Sequence, residues 1–181
     1  MVNRTIGRYK SRQFQQAWHY LAEGSVSAVT QVNWIFTQGM LDNYRALKLH
    51  LTNGVSTPDI SNHYARTSAD FGSSWNSGAT DYAGGADYAS VTPGGSGFSR
   101  VGNPEIYTSW FRQDMRAFAE FIFFTPRNSA RNMVYYRGGV FNYSYKGIIC
   151  PNVTTPITAF QLTSFDSGVT WSTDWLITGM K

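Results

Sequence analysis

The side chains that could do acid–base or metal chemistry are few and widely spaced. The three histidines, His19, His50 and His63, do not have the spacing of zinc-binding motifs, and no cysteine pair accompanies them. Each is interpreted as an ordinary surface or interface residue. Cys150 is the only cysteine, so no intrachain disulfide can form. Because it ends an apolar run over residues 147–150, it is interpreted as a small buried hydrophobe.

Three carboxylates of a glycine-rich segment, residues 70–103, are the other candidates for chemistry. Asp70, Asp81 and Asp87 could act as the paired acids of a glycosidase or could bind a cation, although turn and cap roles are the favoured interpretation. The glycines of this segment lack the lysine that a phosphate-binding loop needs. We therefore predict a chain without enzymatic activity, with no catalytic residue, no metal and no cofactor.

The same segment contains aromatic residues that could form a binding surface. Trp75, Tyr82 and Tyr88 stand beside Asn and Asp residues, a combination that suits stacking on carbohydrate. The alternative is that these rings pack the segment against the body of the protein. Since no strand pattern is evident in residues 70–103, we predict one long irregular loop.

Positive charge is concentrated at the N-terminus. The first 22 residues carry four positive charges and no negative one, whereas residues 23–181 are formally neutral. We interpret residues 1–22 as a basic arm that docks on an acidic neighbouring subunit, with a solvated terminus as the alternative. Because the body is neutral, we do not expect nucleic acid as a partner. The basic residues of the arm are Arg4, Arg8, Lys10 and Arg12.

The rest of the composition favours a strand-rich protein that assembles with others. Aromatic residues make up 16% of the chain and charged residues only 14%. No run approaches the roughly 20 apolar residues of a membrane span, and the first residues lack the apolar block of a secretory signal. We therefore expect a soluble protein that does not bind membranes.

Short runs of strand-type residues, separated by Gly, Pro, Asn and Ser clusters, predict an all-β sandwich of about eight or nine strands. In the clearest run, Leu47, Leu49 and Leu51 alternate with Lys48 and His50, as expected when one face of a sheet is buried. Residues 14–21 fit a helical turn or a strand equally well. The predicted strands are 26–36, 44–51, 60–68, 106–113, 115–125, 132–137, 140–150, 157–164 and 173–179.

The predicted strand 115–125 carries bulky side chains on both faces. Phe118, Ile122 and Phe124 lie on one face and alternate with Phe121 and Phe123 on the other. An antiparallel strand with one wet face should have polar residues there. Either the long loop covers Phe118, Ile122 and Phe124, or these residues form a subunit interface.

Several stretches of the chain resemble a jelly-roll module found in the particles of tailed bacteriophages. Residues 157–164 (ITAFQLTS) are similar to its strand I-T-x-I-x-L-x-S, and residues 173–181 (TDWLITGMK) are similar to its last strand, which ends in Leu-Tyr-Gly-Leu-Lys. Residues 42–49 (DNYRALKL) and 68–82 (SADFGSSWNSGATDY) are similar to its tyrosine-containing strand and to a loop ending in Ser-Gly-Ala-x-Asp-Tyr. The similarity runs in order across residues 26–181. Thr178 replaces the usual tyrosine of the last strand.

The resemblance implies a jelly-roll-like antiparallel β-sandwich in a virion structural protein, commonly a trimer, and it transfers no catalytic residues. We therefore expect a capsid decoration or cement protein, located in the virion and bound to major capsid subunits. The alternative is a receptor-binding protein of a tail or head fibre that recognises host carbohydrate through Trp75, Tyr82 and Tyr88. A third class, an enzyme, has the least support.

Overall fold

The structure is a computed structural model, and it describes most of the chain beyond the N-terminal segment. Within the described ranges, the side chains of residues 60–62, 85–90, 97–103, 106–110 and 143 are not described. The described residues are 18–57, 60–77, 81–90, 97–103, 106–113, 115–124, 132–140, 143–165 and 167–181.

These residues form twelve strands and one short helix. The strands are β1 Trp18–Val29, β2 Gln31–Ile35, β3 Ala46–Thr57, β4 Ile60–Ser68, β5 Tyr82–Ser90, β6 Gly97–Asn103, β7 Ile106–Arg112, β8 Ala117–Phe124, β9 Met133–Val140, β10 Tyr143–Pro151, β11 Ala159–Ser164 and β12 Thr170–Met180. The helix is α1 Gln38–Asn43, and the Thr37 side chain caps its N-terminus by accepting from the Met40 amide.

The strands form two antiparallel sheets that pack as a sandwich. The large sheet has the order β1-β12-β3-β8-β9-β10-β5-β6, and the small sheet has the order β2-β11-β4-β7. The predicted all-β sandwich is confirmed.

Eight of the strands pair in the nested order of a jelly roll. The first strand pairs with the last, β1 with β12, and the second with the second-last, β2 with β11; β3 with β8 and β4 with β7 complete the series. The remaining strands, β9, β10, β5 and β6, extend the large sheet beyond β8. This extension makes β8 an interior strand with an unusually broad sheet around it.

Strand β3 shows how the sequence sets the two faces of the large sheet. Leu47, Leu49 and Leu51 are fully buried between the sheets, while Lys48 and His50 lie on the outer face, as predicted. At Asn53 the backbone adopts a positive φ of 56°, and the register with β8 shifts between Leu51 and Gly54. This bulge lets the strand continue in a changed register.

The core between the sheets is aromatic. Phe160 of the small sheet packs against Phe121 and Phe123 of β8, with ring centroids 4.8 Å and 4.9 Å apart, and all three rings are buried. Near the Asn53 bulge, His63 packs against Phe111 at 4.5 Å and against Trp171 at 5.0 Å. Such tilted and edge-to-face contacts add to the stabilisation from burial alone.

The prediction of one long irregular loop over residues 70–103 was wrong, because β5 and β6 lie within it. Strand β5 reads YAGGADYAS and pairs with both β10 and β6. Its Ala and Gly residues give no hydrophobic alternation, so its strand character comes from backbone pairing and not from a sequence pattern. Within residues 70–103, the described residues that lie outside strands are 70–77 and 81, and all of them precede Tyr82.

A predicted break at Gly138 and Gly139 was also wrong, because β9 runs through both to Val140. A Cβ at Gly138 would meet the Tyr145 hydroxyl of β10 and the Phe118 carbonyl of β8. The glycine therefore leaves room for the Tyr145 ring inside the sandwich, and it does not mark a turn.

Two boundaries also change at the N-terminal end. Residues 18–22 were assigned to the arm, but they begin β1 and pair with β12. The predicted strand 26–36 is divided between β1 and β2, which separate at Thr30. With twelve strands among the described residues, the count exceeds the eight or nine that we predicted.

Candidate docking surface

Strand β8 divides its side chains cleanly between the two faces of the large sheet. Phe121 and Phe123 are buried in the core, whereas Phe118 is 52% exposed and Phe124 is 40% exposed on the opposite face. The predicted alternation is confirmed. The first alternative for this second face was that the predicted loop covers it. Because Phe118 and Phe124 are exposed, the described loop residues 70–77 and 81–90 do not cover them.

The exposed residues of β8 belong to a larger apolar surface that crosses three strands. Phe124 is the register partner of Met133 on β9. In the next row, Ile122 pairs with Tyr135, which pairs with Ile148 on β10. Met133 and Ile148 are 37% and 40% exposed. We call this surface the outer apolar face and define it as Phe118, Ile122, Phe124, Met133, Tyr135 and Ile148.

Exposed apolar side chains are concentrated on the outer side of the large sheet. Eight large hydrophobic side chains are exposed among the described residues, and five of them lie on the outer side of the large sheet. Contiguous exposed patches of this kind usually mark contact sites, whereas single exposed residues need no explanation. The five are Tyr20, Phe118, Phe124, Met133 and Ile148.

A charged cluster is embedded in the outer apolar face. Glu120 is only 6% exposed and lies between Phe118 and Ile122 along β8. Its Oε1 accepts a hydrogen bond of 2.9 Å from Nε of Arg137, and its Oε2 lies 3.5 Å from Nζ of Lys48. The carboxylate is thus held by cations from the strands on both sides, β3 and β9.

His50 is the third neighbour of this carboxylate. Its Nδ1 lies 3.4 Å from Oε2 of Glu120. Burial lowers the pKa of His50 below its ordinary value of 6.5, and the charges of Lys48 and Arg137 act in the same direction, while Glu120 opposes them. We call Lys48, His50, Glu120 and Arg137 the Glu120 cluster.

Strand β1 connects this surface to the N-terminal segment. Nζ of Lys48 lies 4.0 Å from the centroid of the Trp18 ring, a cation–π contact. Trp18, the first described residue, therefore lies beside the Glu120 cluster. The predicted docking residues Arg4, Arg8, Lys10 and Arg12 lie outside the described residues.

The aromatic platform predicted in the glycine-rich segment is not assembled as expected. Tyr82 is only 1% exposed, and its hydroxyl accepts from the Thr67 amide at 2.7 Å and donates to the Asn76 carbonyl at 3.0 Å. It is a core residue, so the prediction that it contacts a ligand was wrong. The Tyr88 side chain lies outside the described part of β5.

Trp75 is half-buried and packs back on its own turn. A Cβ at Gly72 would meet the Trp75 ring at 3.4 Å and the Ile35 side chain at 3.8 Å. Gly72 has a positive φ of 83°, which suits glycine at this turn. Of the two interpretations of these aromatics, packing against the body describes Tyr82, while the Trp75 ring lies against Gly72 of its own turn.

Asp70 has the turn-forming role favoured from the sequence. Its carboxylate accepts from the Ser68 hydroxyl at 2.6 Å and from the Ser74 amide at 2.9 Å. These hydrogen bonds, with that from the Ser74 hydroxyl, lower the pKa of Asp70 to about 2. Across the described ranges, no group of three or more His, Cys, Asp or Glu side chains could hold a metal ion.

The histidines differ in their surroundings. His19 is exposed and His50 is half-buried at the sheet surface, in line with the surface role predicted for them. His63 is fully buried between Phe111 and Trp171, so its assignment to the surface was wrong. A polar residue in a strand with little apolar alternation gives no sequence signal for such a site. Cys150 is a free thiol of intermediate burial.

Sequence reasoning missed half of the outer apolar face and most of the Glu120 cluster. Met133, Tyr135 and Ile148 lie within the predicted strands 132–137 and 140–150, but the sequence does not show that β8, β9 and β10 are neighbours. Comparison with protein families and with curated proteins finds no match to this chain. In the described part of the chain, no helix is long and apolar enough to cross a lipid bilayer.

Proposed function

We propose that this chain is a structural protein of a bacteriophage particle, a capsid decoration or cement protein that binds coat subunits. The observation that carries the proposal is the outer apolar face: an exposed apolar surface on interior strands of a broad sheet is suited to cover, and be covered by, another polypeptide. The phage context rests on the sequence resemblance, with which the nested strand pairing is compatible.

The mechanism is one of binding. Burial of a side chain such as Phe118 or Phe124 contributes roughly 1.5–3 kcal/mol, and this energy is available only where the partner surface is present. A protein that binds the assembled shell and not its dissociated subunits stabilises the shell by mass action. No catalytic residue is needed for this role. The basic residues Arg4, Arg8, Lys10 and Arg12 would add contacts to an acidic coat subunit, and the protein would act as a homotrimer.

The alternative function, a fibre protein that binds host carbohydrate, has less support. It required an exposed platform of Trp75, Tyr82 and Tyr88, but Tyr82 is in the core and Trp75 packs on Gly72. A glycan array with wild type and Trp75→Ala tests it. A specific glycan signal that Trp75→Ala abolishes would favour the fibre protein over the decoration protein.

Occupancy on particles tests the decoration role. The purified chain is added to expanded capsids that lack it, and bound copies are counted by quantitative mass spectrometry and electron microscopy. We expect the double variant Phe118→Ser, Phe124→Ser to lower occupancy at least tenfold. Phe165→Ser is the control, because Phe165 is equally exposed at 52% but directly follows β11 of the small sheet.

Deletion of residues 1–13 tests the arm separately, and we expect lower occupancy that is more sensitive to salt. Undiminished occupancy would discard the role of the arm. Absence of the chain from purified particles would discard the proposed function.

A further inference from the structure

We infer that the outer apolar face binds a partner surface that combines apolar side chains with a carboxylate, and not a second copy of the same face or the N-terminal arm. The inference deepens the proposed function, on which it rests, by specifying the chemistry of the partner. It depends on the position of the Glu120 cluster within the outer apolar face.

The Glu120 cluster is not electrically balanced. Lys48 and Arg137 contribute two positive charges and Glu120 contributes one negative charge, which leaves a net charge of +1. His50 contacts the same carboxylate and adds a further positive charge only when it is protonated. In the same row, Lys146 on β10 is the register partner of Arg137 as well as of Asp87, so a further cation adjoins Arg137 on this face. At the other end of the row, Glu23 on β1 stands opposite Leu176, which is the register partner of His50. Among the residues in contact with Glu120, the excess positive charge therefore lies at Lys48 and Arg137.

A partner that covers the outer apolar face also covers the Glu120 cluster. Glu120 lies on β8 between Phe118 and Ile122, and Arg137 lies two residues beyond Tyr135 on β9. The Arg137 side chain is 58% exposed, so a covering surface removes it from water. Burying an unbalanced cation under a purely apolar surface is costly. A carboxylate on the partner, placed against Arg137, would neutralise the buried group.

A second copy of this face is a poor occupant for the same reason. In a two-fold contact the same patch of each copy meets the other, which brings two clusters of net charge +1 together. Like charges that face each other across an interface are unfavourable and select against that pairing. A homotrimer is compatible with this inference if it forms through other surfaces.

The N-terminal arm is also poorly matched. Residues 1–17 carry four positive charges and no negative one, so covering the Glu120 cluster with this segment would add like charge. The arm and the Glu120 cluster carry net charge of the same sign, and the residue that follows the arm segment 1–17, Trp18, contacts Lys48 of the cluster. Together they favour one partner, an acidic surface with apolar side chains.

Three synthetic peptides test the inference on the full chain. They share a pattern of Phe and Val at alternate positions and differ only in the intervening residues, which are Glu, Gln or Lys. Binding is measured by fluorescence anisotropy at low and high salt. We expect the Glu peptide to bind roughly tenfold more tightly than the Gln peptide at low salt, with the Lys peptide weakest, and the preference to shrink at high salt.

Two variants separate the charge from the apolar surface. Arg137→Gln should reduce the preference for the Glu peptide while leaving binding of the Gln peptide unchanged. Phe118→Ser should weaken all three peptides, and the control Phe165→Ser should weaken none. Circular dichroism and the melting temperature verify that each variant is folded. Equal affinity for the Glu and Gln peptides, or no binding of any peptide, would overturn the inference.

If a second copy or the N-terminal arm covers the outer apolar face, the experiments give different results. If Phe118→Ser dissociates a wild-type oligomer in sedimentation velocity, a second copy covers the face and the inference fails. If deletion of residues 1–13 markedly increases binding of the Gln peptide, the arm covers the face and the inference also fails. Preference for the Glu peptide in a chain that is absent from particles would refute the proposed function alone, whereas particle occupancy without that preference would refute this inference alone.

Discussion

Arg137 on β9 donates a hydrogen bond of 2.9 Å from its Nε to Glu120, its register partner on β8, on an apolar sheet surface. The pairing is specific because antiparallel register places the two residues directly opposite each other on the same face. Glu120 is nearly buried although the face around it is open, since Arg137, Lys48 and His50 enclose its carboxylate. This carboxylate holds cations from both neighbouring strands together.

Glu120→Gln should destabilise the protein. The substitution keeps the size of the side chain but leaves Lys48 and Arg137 without a counter-charge at the sheet surface. We expect the free energy of unfolding to fall by about 1–3 kcal/mol, measured by urea denaturation. Glu23→Gln, an exposed position of β1, is the control and should change it by less than about 0.5 kcal/mol. Equal effects at the two positions would show that the Glu120 cluster does not stabilise the sheet.

His50 should make stability depend on pH near neutrality. Its pKa is lower in the folded state than the unfolded value of 6.5, because burial and the charges of Lys48 and Arg137 outweigh the attraction of Glu120. The unfolded state therefore binds more protons in this window. The stabilisation is complete above pH 6.5 and is lost as the pH falls through the folded pKa.

Urea denaturation between pH 5 and pH 8 measures this effect. His50→Gln should make the rise of unfolding free energy with pH shallower than in wild type. The control, Ser25→Ala at an exposed position of β1, changes no titratable group and should keep the wild-type slope. An unchanged slope in His50→Gln would assign the pH dependence to other groups.

Tyr82→Phe should weaken the protein through the loss of one hydroxyl. That hydroxyl accepts from the buried Thr67 amide and donates to the Asn76 carbonyl, so its removal leaves the amide without this acceptor. We expect a loss of about 1–3 kcal/mol in unfolding free energy. Tyr20→Phe, at a ring that is 63% exposed, should have almost no effect. A neutral Tyr82→Phe would argue that the hydroxyl faces solvent in solution and would reopen the ligand role.

Two glycine substitutions should have opposite effects. Gly138→Ala puts a methyl group against the Tyr145 hydroxyl and the Phe118 carbonyl, and we expect it to cost about 1–3 kcal/mol or more. Gly39→Ala, in helix α1, places its methyl group where no atom lies within 4 Å and should stabilise the protein by at most about 1 kcal/mol. Differential scanning calorimetry of the two variants should show a lower melting temperature for Gly138→Ala and an equal or higher one for Gly39→Ala. A tolerated Gly138→Ala would mean that β9 and β10 are farther apart than described.

The sequence alone determined the fold class and the two faces of the strongest strands. The leucines of β3 and the alternating phenylalanines of β8 specify which side is buried, because side chains of a strand point to opposite faces in turn. The alternation placed Phe118 and Phe124 on the face opposite the core, but it left open whether the predicted loop covers them. Local patterns of this kind need no knowledge of the neighbouring strands.

Tertiary structure decided which strands are neighbours and therefore what each surface contains. Strand β5 is held by backbone pairing with β10 and β6, which leaves no hydrophobic signature in a run of Ala and Gly. Tyr82 is a core residue because Thr67 and Asn76 bind its hydroxyl. Glu120 meets Lys48 and Arg137, residues 72 and 17 positions away, only because β8 lies between β3 and β9. Such contacts depend on register between distant segments, which a single sequence does not encode locally.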